Sequence, residues 1–283
     1  AWSDYDNDGD FDLWVTNLAH KDVYRGPICD DSELYRNDGP SSGYAFTNVR
    51  EDSDIPVKSI GGGEDELMVG VAWGDFDNDG LEDLFLPQIY NDPSYAHSYL
   101  YHNDGDGTFT DVSEDMGVRV WDTYAGCFCD YDRDGDLDLL SAGKGEADPE
   151  APHELHLFRN DGGSRDTWLQ VELSGGASGS DAVGALISVE GAGDTGVKQV
   201  EGGMGAHGMK NSHAVHFGLG PAASDGTPVD VTVRWPSGVV QTEKGVLSGQ
   251  RVVLEEPGEE MDLAAEVLEP DTIDELIPGD ILK

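Results

Sequence analysis

Three stretches of the chain repeat the pattern Asp-x-Asp-x-Asp-Gly-x-x-Asp, at 4–12, 75–83 and 130–138. Each has an oxygen donor at nearly every place a hard cation needs one. Ca²⁺ takes about 6–8 oxygen ligands at about 2.3–2.6 Å, and a tight loop can turn alternate side chains onto it. The first, third and fifth residues supply carboxylates: Asp4, Asp6 and Asp8; Asp75, Asp77 and Asp79; Asp130, Asp132 and Asp134. A glycine follows (Gly9, Gly80, Gly135) where a Cβ would obstruct the turn. The seventh residue offers its backbone carbonyl, so its type is free to vary: Asp10, Leu81 and Asp136. Asp12, Asp83 and Asp138 close each set. Carboxylates gathered at about 4 Å repel by about 1 kcal/mol per pair in water and roughly four times that at intermediate dielectric. A divalent ion reverses the sign. One such loop could be a solvated turn rich in Asp and Asn; three with identical spacing argue for about three Ca²⁺ ions, with fifteen candidate ligand residues.

These loops need elements to hold them. The flanks Leu13-Trp14-Val15-Thr16 and Leu84-Phe85-Leu86 read as strands, and the twelfth place holds Val15, Leu86 or Ser141 in place of a bidentate Glu. An EF-hand, which needs that Glu and then a helix, is excluded. The loops are expected to join β-strands. The first Asp of each copy falls at 4, 75 and 130, giving periods of 71 and 55 residues. A second motif follows each copy: Leu34-Tyr35-Arg36-Asn37-Asp38-Gly39, Leu100-Tyr101-His102-Asn103-Asp104-Gly105 and Leu157-Phe158-Arg159-Asn160-Asp161-Gly162. Asp-Gly after an apolar run signals a hairpin turn. The middle unit then has four short strands, at 69–73, 84–87, 98–102 and 108–112, which is the arithmetic of a propeller blade. The third unit lacks its returning strand, and Gly61 to Glu66 in the first reads as a surface loop.

After about Arg165 the acidic loops stop. Strand-like runs at 168–173, 185–190, 197–201, 214–217, 229–235 and 251–254, parted by Gly-rich turns, predict an all-β sandwich or barrel. The fold class is therefore all-β: a partial β-propeller of about three blades over 1–163, a smaller β-domain over 164–256, and an acidic tail over 257–283. In the tail, Met261, Ala264, Ala265 and Leu268 have the spacing of one short helix; otherwise disorder is expected.

Lys and Arg number 16 against 58 Asp and Glu, for a formal net charge of −42. Nucleic-acid binding is excluded, because it rests on basic patches that neutralise phosphates. No run approaches the ~18 apolar residues of a membrane span, so no insertion is expected. Three Ca²⁺ would cancel only six of these charges, and the remainder is a solvated acidic surface. Of the three cysteines, Cys127 and Cys129 stand two apart in an expected strand and read as small buried apolar residues, with a bridge from one of them to Cys29 as the alternative. The chain opens inside a repeat, at Ala1-Trp2-Ser3-Asp4, and is expected to be a fragment or processed product.

At these residues the chain resembles the FG-GAP/VCBS repeat family, the calcium-looped blades also found in integrin α-subunit propellers. Its second half is similar to the ASPIC/UnbV domain through Trp168-Leu169-Gln170-Val171, Gly184-Ala185, Val200-Glu201-Gly202-Gly203, His216-Phe217-Gly218-Leu219-Gly220 and Trp235-Pro236-Ser237-Gly238. Repeats followed by that domain is the arrangement of proteins similar to cartilage acidic protein. The resemblance implies a secreted, extracellular, calcium-binding module acting in adhesion or binding, without catalysis, on a protein or glycan ligand that the sequence does not identify. Such propellers usually have about seven blades, and two to three are visible here. A metal-dependent hydrolase of carbohydrate or phosphoester is the alternative; it would need an open coordination position and a pocket. Gly203-Met204-Gly205-Ala206-His207-Gly208 matches a dinucleotide-binding pattern on paper, but it precedes an expected strand where that site needs a helix. His207, His213 and His216 are read as packing residues.

Overall fold

The structure is a computed structural model that describes residues 1–17, 31–56, 68–89, 97–148, 150–162, 166–193, 195–203 and 210–258. The chain is all-β. Two four-stranded antiparallel meanders come first: β1 (Trp2–Ser3), β2 (Asp12–Val15), β3 (Glu33–Asn37) and β4 (Phe46–Asn48), then β5 (Ala72–Gly74), β6 (Asp83–Leu86), β7 (Tyr99–Asn103) and β8 (Phe109–Asp111). Among the described residues a third sheet has three strands, β9 (Gly126–Cys129), β10 (Asp138–Gly143) and β11 (Glu154–Phe158). These are propeller blades, and the missing return strand of the third unit is as expected. In each blade the acidic loop joins the first strand to the second, and in the two complete blades the Asn-Asp-Gly turn joins the third to the fourth.

Adjacent blades interlock through the aromatic at the second place of the first and second loops. Tyr5 of the first loop stacks on Trp73 of β5 at 6.2 Å and leans on Phe109 of β8 at 5.8 Å. This cluster continues into Trp14, Leu34, Leu84, Leu86 and Tyr101, all buried. Phe76 of the second loop joins Phe85 and Leu100 to Phe128, Leu137 and Leu139 of the third blade. The blades approach closely here: a Cβ at Gly74 would lie 2.6 Å from the Phe128 ring.

Among the described residues the C-terminal region has seven strands: β12 (Trp168–Ser174), β13 (Leu186–Glu190), β14 (Val197–Gln199), β15 (Val215–Gly218), β16 (Pro228–Arg234), β17 (Val240–Leu247) and β18 (Gln250–Glu255). They form two sheets, β15-β12-β18 and β14-β13-β16-β17. Leu169, Val171, Ile187, Phe217, Val231 and Val233 fill the space between them, so the region is a sandwich with its own core. The pairing of β12 with β18 is parallel and the rest antiparallel. Strand β17 escapes sequence reading because it is an edge strand whose Gln241-Thr242-Glu243-Lys244 centre faces water. Exposed edges carry polar and charged side chains that suppress pairing with other chains, and so lose their hydrophobic alternation.

Cys127 and Cys129 are both free thiols of β9, the first buried and the second half-buried. Cys29, the 61–66 loop and the tail helix lie outside the described residues. Among the described residues no helix is long and apolar enough to cross a membrane.

Candidate metal centre

The three acidic loops share one backbone conformation. The fourth residue is left-handed in each (Asn7 φ 58°, Asn78 φ 63°, Arg133 φ 66°), as is the sixth (Gly9 φ 91°, Gly80 φ 96°, Gly135 φ 98°). Left-handed geometry is cheap for Gly and tolerable for Asn, which explains the sixth place in all three loops and the fourth in the first two; Arg133 adopts it without that advantage. The fifth Asp accepts the N–H of the seventh residue in every copy: Asp8 from Asp10 at 2.9 Å, Asp79 from Leu81 at 2.8 Å, and Asp134 from Asp136 at 3.0 Å. The first Asp accepts the glycine N–H in two copies, Asp4 from Gly9 at 3.1 Å and Asp75 from Gly80 at 3.0 Å.

The ninth Asp ties each loop to its neighbouring turn with both oxygens. Asp12 accepts from Tyr5 N at 3.2 Å and Asn37 N at 2.8 Å; Asp83 from Phe76 N at 3.0 Å and Asn103 N at 2.9 Å; Asp138 from Tyr131 N at 3.0 Å and Asn160 N at 2.8 Å. All three are fully buried. The Asn-Asp-Gly motif is thus more than a hairpin turn: its Asn presents the N–H that positions the closing carboxylate.

Carboxylate oxygens converge in each loop, to within 4.8 Å of one another, as Asp4, Asp6 and Asp8; as Asp75, Asp77 and Asp83; and as Asp130, Asp132 and Asp138. Asp77 and Asp79 also converge with His102, whose Nε2 lies 3.1 Å from Asp77. Asp134 is exposed, and the Asp136 carboxylate turns away to accept from the Asn78 amide at 3.0 Å. Asp75 Oδ1 and Asp130 Oδ1 are buried with no hydrogen-bond partner. A buried carboxylate oxygen without a donor is costly, and a hard cation is the partner an all-oxygen cradle suits. The donor set therefore fits Ca²⁺.

Titration behaviour agrees, with one change of emphasis. Burial pushes Asp4 up to about 6 and Asp12 up to about 8, against the N–H donors that lower them. It also holds Asp75 and Asp83 well above the usual carboxylate range. Mutual repulsion, the argument available from spacing, is the smaller cause; lost hydration is the larger.

Several contributors have no signature in the nine-residue pattern. The fourth-place Asn reaches into the next loop: Asn7 Nδ2 donates to Gly80 O at 2.9 Å, and Asn78 Nδ2 to Gly135 O at 3.2 Å. The Asn of the second motif reaches back to the preceding loop, Asn103 Nδ2 to Tyr5 O at 2.9 Å and Asn160 Nδ2 to Phe76 O at 2.7 Å. Its recurrence in all three copies was the available signal. The loops are a hydrogen-bonded series along one end of the blades.

The family model described as FG-GAP-like repeat matches residues 89–141, which include the third acidic loop. The family model described as ASPIC and UnbV matches residues 175–261. No curated protein matches the chain.

Proposed function

We propose that this protein, which joins an FG-GAP-like repeat region to a C-terminal ASPIC/UnbV domain, is a secreted calcium-binding module of the adhesion or ligand-binding type without catalytic activity. The observation that carries the reading is the threefold recurrence of one loop geometry whose carboxylates converge, with buried oxygens left without donors at Asp75 and Asp130. Asp4, Asp6 and Asp8, then Asp75, Asp77 and Asp83, and Asp130, Asp132 and Asp138 would hold the ions, with Asp12, Asp83 and Asp138 also fixing each loop against the neighbouring turn. A bound Ca²⁺ supplies charge neutralisation and cross-links each loop.

Two spaces adjoin the loops. One, of about 90 Å³, lies between the inner strands and the sandwich, lined among others by Trp73, Phe128, Lys198 and His216. The other is an open groove of about 530 Å³ beside the third loop, walled by Asp134, Asp136, Asp166, Thr167, Trp168 and Asp225. Among the described residues the groove is lined by carboxylates and hydroxyls with no Lys, Arg or His, so a hydrolase working there would depend on the ion alone for charge stabilisation.

The test is thermal unfolding with and without calcium. Sites of the extracellular-module class have Kd on the order of 10⁻⁴ to 10⁻³ M, so 10 mM Ca²⁺ should add about 1.4–2.7 kcal/mol per site. The melting temperature should rise accordingly and fall back with chelator. A melting temperature indifferent to both would refute the reading.

A further inference from the structure

The C-terminal sandwich touches all three acidic loops. At the first, Val197 N donates to Asp4 Oδ2 at 2.7 Å. At the third, Gln170 Nε2 donates to Asp130 Oδ2 at 2.8 Å, and Trp168 packs where a Gly135 side chain would be. The second loop receives the His216-Phe217-Gly218-Leu219-Gly220 segment, and the alternation of that segment explains its composition. Phe217 and Leu219 point into the sandwich core and are fully buried. His216, Gly218 and Gly220 face the loop. His216 Nε2 lies 2.5 Å from Asn78 Oδ1, and Gly220 N donates to Asn78 O at 3.0 Å. A Cβ at Gly218 would come 2.1 Å from Asp75 Oδ2. The Asn78 amide nitrogen is already committed to Gly135 O, so its Oδ1 accepts and His216 carries the proton on Nε2. Between the second and third blades, Asn211 donates to Trp73 O at 2.8 Å and accepts from Phe128 N at 2.8 Å. Lys198 pairs with Glu82 beside the second loop.

From these contacts we infer that the cation sites are bipartite: the sandwich is their outer wall, and cation occupancy and seating of the sandwich on the repeats form one linked equilibrium. The inference rests on the calcium reading. Its sign follows from hydration. With the sandwich seated, Asp75 is fully buried and its Oδ1 has no donor, and Asp130 Oδ1 is in the same position. Lifting the sandwich would return water to both loops. A metal-free seated protein therefore carries buried carboxylate oxygens without partners that the unseated one does not, and a cation relieves that cost in the seated state alone. A ligand with unequal affinity for two states shifts their balance, and the coupling is reciprocal.

Hydrogen exchange on the full chain reads the relevant amides directly. Val197 N–H, Gly220 N–H and Phe128 N–H are bonded across the seam. Their exchange should slow as Ca²⁺ is titrated, with the same midpoint as calcium binding measured by calorimetry, while β16 amides inside the sandwich stay constant. By reciprocity, Asn211→Ala, which removes the sandwich's bonds to Trp73 and Phe128 in the strands that lead into the second and third loops, and Gln170→Ala, which removes its bond to Asp130, should each weaken calcium binding by about 5-fold or more. The unchanged β16 exchange serves as the check that each variant is folded, and either variant suffices. Calcium binding with no slowing of the three seam amides, or with unaltered affinity in a folded variant, would overturn the inference and leave the calcium reading standing. No calcium uptake at all would remove both.

Discussion

The second and third acidic loops obey the same nine-residue rule and have the same backbone, yet they inhabit different surroundings. In the second, Asp75, Asn78 and Asp83 are fully buried, because the first blade, the third blade and the sandwich all close on it. In the third, Tyr131, Asp132, Arg133 and Asp134 are exposed. The difference traces to neighbours. Phe76 at the second place has the third blade to pack against, whereas Tyr131 is 47% exposed. Asn78 at the fourth place has another loop to reach, whereas Arg133 in its place is exposed. The pattern specifies a loop, and the assembly decides how far that loop is dehydrated.

Removing the closing carboxylate should expose this contrast most strongly. Asp83→Ala strands the Phe76 and Asn103 N–H groups in a fully enclosed site, at about 1–3 kcal/mol for each donor left unpaired. Asp138→Ala strands the corresponding Tyr131 and Asn160 donors, but Tyr131 lies at the solvent boundary, where water can replace the lost oxygen. Chemical unfolding of both metal-free variants should show the larger loss for Asp83→Ala. Equal losses would mean that enclosure of the second loop contributes nothing to stability.

A smaller effect is expected at the seam between blades. Asn103 Nδ2 bonds Tyr5 O of the first blade and Glu82 O of its own, so Asn103→Ala should cost about 1–3 kcal/mol. Asn37 is its counterpart in the first blade, and among the described residues its Nδ2 donates to Phe11 O at 3.3 Å within the same blade. Asn37→Ala should therefore shift the denaturation midpoint less. Identical shifts would show that the reach into the preceding blade carries no energy.

The comparison also explains what was legible in the sequence. The loops, their flanking strands, the hairpin turns and the three-stranded third blade depend on local spacing, and all could be placed from it. So could six of the seven sandwich strands; the solvent-facing edge strand β17 could not. Properties defined by a partner were out of reach. Asn78 looks like any left-handed turn residue until the third blade supplies Gly135 O. His216 reads as a packing residue in the sequence, and it is buried, its pKa held down to about 3 by burial and by Lys198. Its contact with Asn78 Oδ1 and the clearance at Gly218 become visible only once the sandwich meets the second loop. Spacing also suggested repulsion as the leading strain in the loops, whereas burial, which spacing does not encode, is the larger cause at Asp4, Asp12, Asp75 and Asp83.

The subtlest difference among the loops is the cation beside each. Arg36 in the first blade pairs with Asp38 at 2.8 Å, and Arg159 in the third with Asp161. The second blade has His102 instead, whose Nδ1 lies 3.1 Å from Asp104 and whose Nε2 lies 3.1 Å from Asp77. The Asp77 hydrogen bond raises His102 from 6.5 to about 9, overcoming the burial that lowers it, with Asp104 adding to the rise. A histidine raised on folding contributes stability that is fully present below its unfolded pKa and lost as pH climbs through the folded one. In chelator, that contribution should be complete below pH 6.5 and gone above about 9. His102→Arg installs the residue type of the other two blades, which stays charged throughout this range. The melting temperature of His102→Arg minus that of the parent should therefore be flat below pH 6.5 and rise between 6.5 and 9, because only the parent loses its cation. A difference that does not change across that interval would mean that His102 is not held charged by Asp77, and that the second loop differs from its neighbours in enclosure alone.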